Sequence, residues 1–298
     1  MRLEELMFRP GLMSGHSVVV TGGGTGLGKE MAEALLVLGA RVAIAGRREE
    51  VLRETADALM AAHGGEVLPV ACDIRDADSI ALMADRVWDA FGSPTGLINN
   101  AAGNFISRTE DLSPRGFDAI ANIVFRGSFL TTLEFGKRWI AGGNSASVVS
   151  IVTTWVWNGS PFVVPSAMSK AGIAAMTQSL AVEWGGKGIR FNAIAPGPFP
   201  TEGMTKRLKP NEGGAAYADM SQNPLGRVGR MPELANLATF LLHPGAEYVN
   251  GQVIAIDGGD YQATGGNFAA LRSWSDEQWS QARQSIKAAA ETEKAGRS

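Results

Sequence analysis

From Ser17 onward, short apolar runs rich in β-branched residues alternate with longer stretches whose apolar positions recur at helical spacing. The runs Val18–Val20, Arg41–Ala45, Val67–Ala71, Gly96–Ile98, Ser147–Val152, Ile189–Ile194 and Val253–Ile256 predict strands. Between them, Leu27–Leu38, Glu49–Ala62, Ser79–Phe91, Arg115–Ile140 and Ser166–Trp184 have the length and pattern of helices. Strand then helix, repeated along a chain, is the sequence form of a parallel sheet covered by helices. Right-handed crossovers then give a single α/β domain with a Rossmann-like, doubly wound sheet and helices on both faces, whose ligands bind beyond the C-terminal strand ends. The chemistry is expected just after each strand.

The rhythm starts after an N-terminal extension, residues 1–13, and the core is expected over 14–263. One long irregular stretch, Pro196–Pro224, is rich in Pro and Gly and carries Lys206, Arg207 and Lys209; it predicts a lid over about 197–224. The tail, 264–298, places Trp279, Ile286 and Ala290 at roughly helical spacing and predicts an amphipathic helix packed on the body or on a neighbouring subunit.

At 298 residues, 45% hydrophobic and 19% charged, the chain can bury a large core and is neither disordered nor fibrous. Its 27 Lys and Arg against 30 Asp and Glu leave a net charge of −3, which offers no overall attraction to nucleic acid or to an anionic membrane. An anionic ligand would have to be caught locally. One cysteine, Cys72, and three scattered histidines, His16, His63 and His243, give no disulfide framework and no metal-ligand spacing. Neither a signal-peptide pattern nor a membrane-length apolar run is present, so a soluble, cytoplasmic protein without metal is expected.

The strongest local signal is Thr21-Gly22-Gly23-Gly24-Thr25-Gly26-Leu27-Gly28 between the first strand and the first helix. Glycines permit a tight turn and the close approach of a pyrophosphate, and the free N–H groups of a helix start favour negative charge. Gly22, Gly24, Thr25, Gly26, Leu27 and Gly28 are therefore candidate dinucleotide ligands. An NAD site usually has Asp or Glu after the second strand; here Arg47-Arg48 follow Gly46, which favours the 2′-phosphate of NADP, with Arg47 the stronger candidate and Arg48 a solvated residue of the helix start. After the third strand, Asp73 with Ile74 would lie near the adenine, or Asp73 would cap the next helix, a task Asp76 could perform instead.

Taken together, Thr21–Gly28, Asp73, Asn99-Asn100-Ala101-Ala102-Gly103, Lys170, Asn192 and Pro196-Gly197-Pro198 resemble the short-chain dehydrogenase/reductase family over about residues 14–260. Within it, Asn100 through Phe105, Phe162 through Ala167, Arg207-Leu208 and the segments Leu271-Arg272 to Gln278-Trp279 are similar to the 2,4-dienoyl-CoA reductases. The resemblance implies NADP(H) as cofactor, an unsaturated fatty acyl-CoA as substrate, a place in fatty-acid β-oxidation and a homotetramer. It further implies that Asn100, Ala101, Gly103, Lys170, Pro196, Gly197, Pro198 and Phe199 contact the cofactor, and that Arg75, Phe105, Ser113 and Arg207 contact the acyl-CoA.

Most members of the family use Tyr-x-x-x-Lys, in which the lysine helps a phenol to exchange a proton with a carbonyl oxygen. Four residues before Lys170 stands Ser166, which argues against a simple alcohol dehydrogenase. The dienoyl-CoA branch also has serine there and carries its acid tyrosine eleven residues earlier, where this chain has Trp155. The only tyrosines, Tyr217, Tyr248 and Tyr261, all lie well downstream of Lys170. In the branch, hydride goes to the far end of a conjugated thioester, and pre-placed donors stabilise the resulting enolate. By resemblance Asn104 is one donor and Trp155 a replacement for the other, the proton coming from water ordered by Ser166 and Lys170. Against these roles, Asn104 could cap a turn, Ser166 could cap the helix carrying Lys170, and Trp155 could be a core or lid residue. Two other functions stay open: reduction of another carbonyl or enoyl substrate with Tyr217 or Tyr261 as acid, and a catalytically silent NADP-binding protein.

Overall fold

In the computed structural model, which describes residues 1–201, 223–264, 271 and 273–295, seven parallel strands form one sheet. They are β1 (Ser17–Thr21), β2 (Arg41–Gly46), β3 (Val67–Ala71), β4 (Gly96–Asn99), β5 (Ala146–Ile151), β6 (Ile189–Pro196) and β7 (Val253–Ile256). Their order is β3-β2-β1-β4-β5-β6-β7, so the direction of winding reverses between β1 and β4. At that point the two neighbouring connections leave on opposite faces and open a crevice at the strand ends.

Alternate strand residues face opposite sides. Val18, Val20, Val42, Ile44, Ile98, Val149 and Ile194 pack under α1 (Gly26–Val37), α2 (Glu49–His63) and a helix at Met231–Leu242. Val19, Ala43, Val70, Leu97, Val148 and Phe191 pack on the other face under α3 (Ala77–Phe91) and two long helices further along the chain. In register, Val19 lies between Ala43 and Leu97, which continues each apolar layer across the strands. Asp76, not Asp73, caps α3 by accepting from the Asp78 N–H at 3.1 Å.

The helix expected over Arg115–Ile140 runs without interruption through α4 (Pro114–Ala121), a wide π-helical turn (Asn122–Gly127) and α5 (Ser128–Gly142). The turn lies in a crowded place: a Cβ on Gly127 would sit 2.8 Å from Ile74, and one on Gly172 would sit 2.6 Å from the Phe125 ring. Such a widened turn inside a helix often marks a functional region. After β5 come the one-turn helix α6 (Trp155–Asn158) and α7 (Val164–Gly185).

The helix Met231–Leu242, here α8, lies outside the expected elements. Its sequence is nearly all apolar and follows the irregular lid segment, so no amphipathic period announces it. It packs on α1. Past β7 lie the short α9 (Asp260–Thr264) and, where the tail was expected to be helical, α10 (Asp276–Ala295). The N-terminal extension is anchored: Leu6 and Met13 are buried, and Met7 N–H donates to Asn236 Oδ1 at 3.0 Å. No helix among the described residues is long and apolar enough to cross a membrane.

Candidate active site

The glycine segment makes its turn at the C-terminal end of β1. Gly22 has φ +67 and Gly26 φ +56, a region that disfavours any side chain. A Cβ on Gly28 would lie 2.4 Å from both Asn100 Nδ2 and Gly22 O, so strand end, helix start and the segment after β4 meet without spare room. Thr21 Oγ1 accepts from the N–H groups of Asn100 (3.0 Å) and Ala101 (3.1 Å), and Asn100 Nδ2 donates to Thr21 O at 2.9 Å. Asn100 Nδ2 is therefore a brace for the glycine turn.

Thr25 is the N-cap of α1 in extended conformation and makes no side-chain cap bond. The N–H groups of the first turn are thus left for an anion, at the positive end of the helix dipole. Leu27 packs its side chain on the core, which leaves only its N–H for a ligand. Gly24 is also tied in, its carbonyl accepting from Thr55 Oγ1 at 2.9 Å. Thr201, which sequence reasoning missed, lies over this turn: a Cβ on Gly26 would meet its side chain at 3.7 Å.

At the ends of β2 and β3, Arg47 is exposed, and no ion pair with a carboxylate engages it among the described residues. Arg48 is the exposed N-cap of α2. The Arg75 guanidinium grips Asp73, its Nε lying 2.9 Å from Oδ1 and 3.0 Å from Oδ2. That contact, reinforced by the field of Arg47, holds the Asp73 carboxyl below its ordinary range. Arg126, from the π-helical turn, donates to Arg75 O at 2.5 Å. Ile74 is buried in the second core, its side chain packed against Gly127.

Because β4 and β5 are neighbours, with Asn99 opposite Ser150, the segments that follow them share one end of the sheet. Asn104 Oδ1 accepts from the Phe105 N–H at 2.9 Å, which realises the turn role and leaves Nδ2 as a donor. Ser107 N–H donates to Phe162 O at 2.9 Å and ties this loop to the one entering α7. Phe162 has φ +64, uncommon for a bulky residue and a sign of a constrained loop. Phe105 is partly exposed and lies over Gly116, while Ser113 spends its hydroxyl oxygen as the N-cap of α4, accepting from Gly116 N–H at 3.1 Å. Ser113 can therefore offer an acyl-CoA only its O–H.

Lys170 is buried and donates from Nζ to Ile151 O, which places its ammonium at the end of β5, four residues before Trp155. Trp155 opens α6 and is half-buried, a rim residue rather than core. Ser166 does not cap α7, whose N-cap is Val163; it is buried in the first turn, with its hydroxyl unbonded among the described residues. Gly197 N–H bonds Ile256 O at 3.0 Å and Pro198 O accepts from Gly229 N–H at 2.9 Å. The Phe199 ring is buried in the first core against Gly229, so only its backbone can meet a cofactor. Lys206, Arg207, Lys209 and Tyr217 lie outside the described residues.

Burial pushes the Lys170 ammonium down to about 8 from the ordinary 10.5. With a folded pKa below the unfolded one, the charged form costs stability, and that cost is relieved as pH rises from about 8 to 10.5. Without added nucleotide, the wild type is expected to gain melting temperature across that window relative to Lys170→Met. Thermal melts of both proteins over the range check it; a constant difference between them would refute it.

The site suits a dinucleotide on its own geometry. It has a turn in which added Cβ atoms would collide, an uncapped helix start, an exposed arginine at the next strand end and a buried lysine at the end of β5. A family model described as Enoyl-(Acyl carrier protein) reductase matches residues 22–260. A Caenorhabditis elegans protein named "Probable 2,4-dienoyl-CoA reductase 3, (3E)-enoyl-CoA-producing" is 43% identical, covering 92% of this chain and 90% of its own. A solved short chain dehydrogenase from Bacillus anthracis is 41% identical with TM-score 0.75, covering 84% of this chain and 98% of its own. An Agrobacterium tumefaciens dehydrogenase solved with bound NADP is 31% identical with TM-score 0.75, covering 88% of this chain and 100% of its own.

Proposed function

This chain belongs to the short-chain dehydrogenase/reductase family and is an oxidoreductase, and we propose that it is an NADPH-dependent reductase of 2,4-dienoyl-CoA thioesters. The observation that carries the reading is Asn104, whose oxygen is tied to the Phe105 N–H, which leaves Nδ2 as a donor on a loop that Ser107 N–H joins to the one entering α7. A donor fixed in this way can stabilise the oxygen of a developing enolate without reorganising during the reaction.

Gly22, Gly24, Gly26 and Gly28 with the first turn of α1 would hold the pyrophosphate, Arg47 the 2′-phosphate and Lys170 the nicotinamide ribose. When bound, NADPH supplies the hydride. Asn104 Nδ2 and the Trp155 indole N–H would then hold the thioester oxygen. Arg75 and Arg126 offer guanidinium groups to the phosphates of CoA, for which planar forked donors are well suited. Arg207 and the tail segment belong to the same reading. A homotetramer is part of it as well, supported by large apolar side chains left exposed on α5 and α7, Phe129 and Val182 among them.

A charge-assisted phosphate contact is worth about 1.5–3 kcal/mol, so Arg47→Ala is expected to weaken NADPH binding at least roughly tenfold. NADH binding should hardly change. Fluorescence titration of both nucleotides checks this, and equal losses for the two would remove Arg47 from the 2′-phosphate site. The reading as a whole is tested by NADPH oxidation with a panel of dienoyl-CoA, simple enoyl-CoA and ketone substrates. The dienoyl thioesters should be preferred; a preference for ketones would favour an alcohol-forming reductase.

A further inference from the structure

We propose that Tyr261 donates the proton that completes the reduction, a task Trp155 cannot perform; the inference rests on the reductase reading above. An indole N–H is a hydrogen-bond donor only, whereas a phenol can give up its proton and recover it. The chain holds three tyrosines. Tyr217 lies outside the described residues. Tyr248 is fully exposed and precedes β7, at the end of the parallel sheet away from the glycine turn. Tyr261 follows β7 and so lies at the same end as the glycine turn, Asn104 and Lys170.

Tyr261 is also firmly placed. The carboxylate of Asp257, itself buried, accepts from Gly259 N–H and from Tyr261 N–H, both at 2.9 Å, and so fixes the backbone of α9. The Tyr261 ring stacks on Trp157 with centroids 4.6 Å apart and planes 21° from parallel. Trp157 stands two residues after Trp155 on the single turn of α6. Tyr261 is thus in contact with the same helical turn that carries Trp155, on the side that Trp157 faces. A stack of this kind adds about 0.5–1.5 kcal/mol beyond area burial, enough to bias the ring toward one position.

The step balances as follows. Hydride arriving at Cδ of the dienoyl thioester brings two electrons, which pass along the conjugated system to the thioester oxygen and give a dienolate held by Asn104 and Trp155. The dienolate electron pair then forms a C–H bond at Cα as the Tyr261 O–H bond breaks. The phenolate regains its proton from water. One hydride and one proton are consumed for each double bond reduced.

Stopped-flow measurement of NADPH oxidation in the first turnover, together with steady-state turnover, separates hydride transfer from protonation in wild type, Tyr261→Phe and Trp155→Tyr/Tyr261→Phe. Tyr261→Phe preserves the ring for stacking, so its tryptophan emission, melting temperature and affinities for NADPH and acyl-CoA should match wild type. Its first turnover should stay within about twofold while steady-state turnover falls by about 10²-fold, the low end for a positioned general acid. The double variant, with a phenol at the branch's own position, should recover most of the loss. Wild-type turnover in Tyr261→Phe would make water the donor and overturn the inference, as would a parallel fall of first turnover, turnover and affinity, the mark of a merely structural ring. If wild type binds both ligands yet never oxidises NADPH with a dienoyl thioester, the reductase reading itself fails.

Discussion

Asn104→Ala is expected to lower kcat with a dienoyl thioester by about 10²–10³-fold, the effect of removing one pre-placed oxyanion donor. KM should change much less, because the donor acts on charge that develops only in the transition state. Alanine also removes the acceptor for the Phe105 N–H, so the loop could shift. Asn104→Asp controls for that. Its carboxylate can still accept from Phe105 N–H and keep the turn, but it donates nothing and sets a negative charge near the enolate. Both variants should therefore be nearly inactive while binding NADPH normally. An active Asn104→Asp enzyme would reduce Asn104 to a turn residue and remove the observation on which the function rests.

Gly28→Ala is expected to weaken NADPH binding by about 10²-fold or more and to destabilise the fold by about 1–3 kcal/mol, the usual range for overpacking a filled site. The added Cβ would fall 2.4 Å from Asn100 Nδ2 and 2.4 Å from Gly22 O. One of these atoms belongs to the backbone of the turn and the other to the side chain bracing it, so neither can retreat without opening the pyrophosphate cradle. Gly186→Ala is the control. It lies outside the cradle, has φ −65, and an added Cβ there meets nothing within 4 Å. Calorimetric titration and melting curves of the two variants should differ sharply. Similar, small effects in both would mean that the turn is looser than its contacts imply.

The strands were legible because burial on both faces writes itself into consecutive residues, as in β1 and β5, where every residue is buried. The glycine turn was legible too, since its conformation demands a particular residue type at Gly22 and Gly26. What the sequence concealed depends on contacts between distant segments. The widened turn at Asn122–Gly127, where Gly127 crowds Ile74 and Phe125 lies over Gly172, is one such feature, because the helical period of Arg115–Ile140 runs through it unchanged. Ile74 and Phe199 stand beside ligand motifs in sequence, but their side chains turn into the core. The bonds by which Asn100 Nδ2 braces Thr21 and Gly22 likewise join distant segments. The pairing of Trp157 with Tyr261 joins residues more than a hundred positions apart, and no local pattern could announce it.

NADPH carrying deuterium in place of both hydrogens at C4 of the dihydronicotinamide tests the central claim most directly, by mass and NMR analysis of the thioester formed from a 2,4-dienoyl-CoA. The account predicts one deuterium on Cδ of an enoyl-CoA product for each NADPH oxidised. Deuterium on a hydroxyl-bearing carbon, deuterium at Cβ, or no transfer from NADPH to the thioester at all would contradict it.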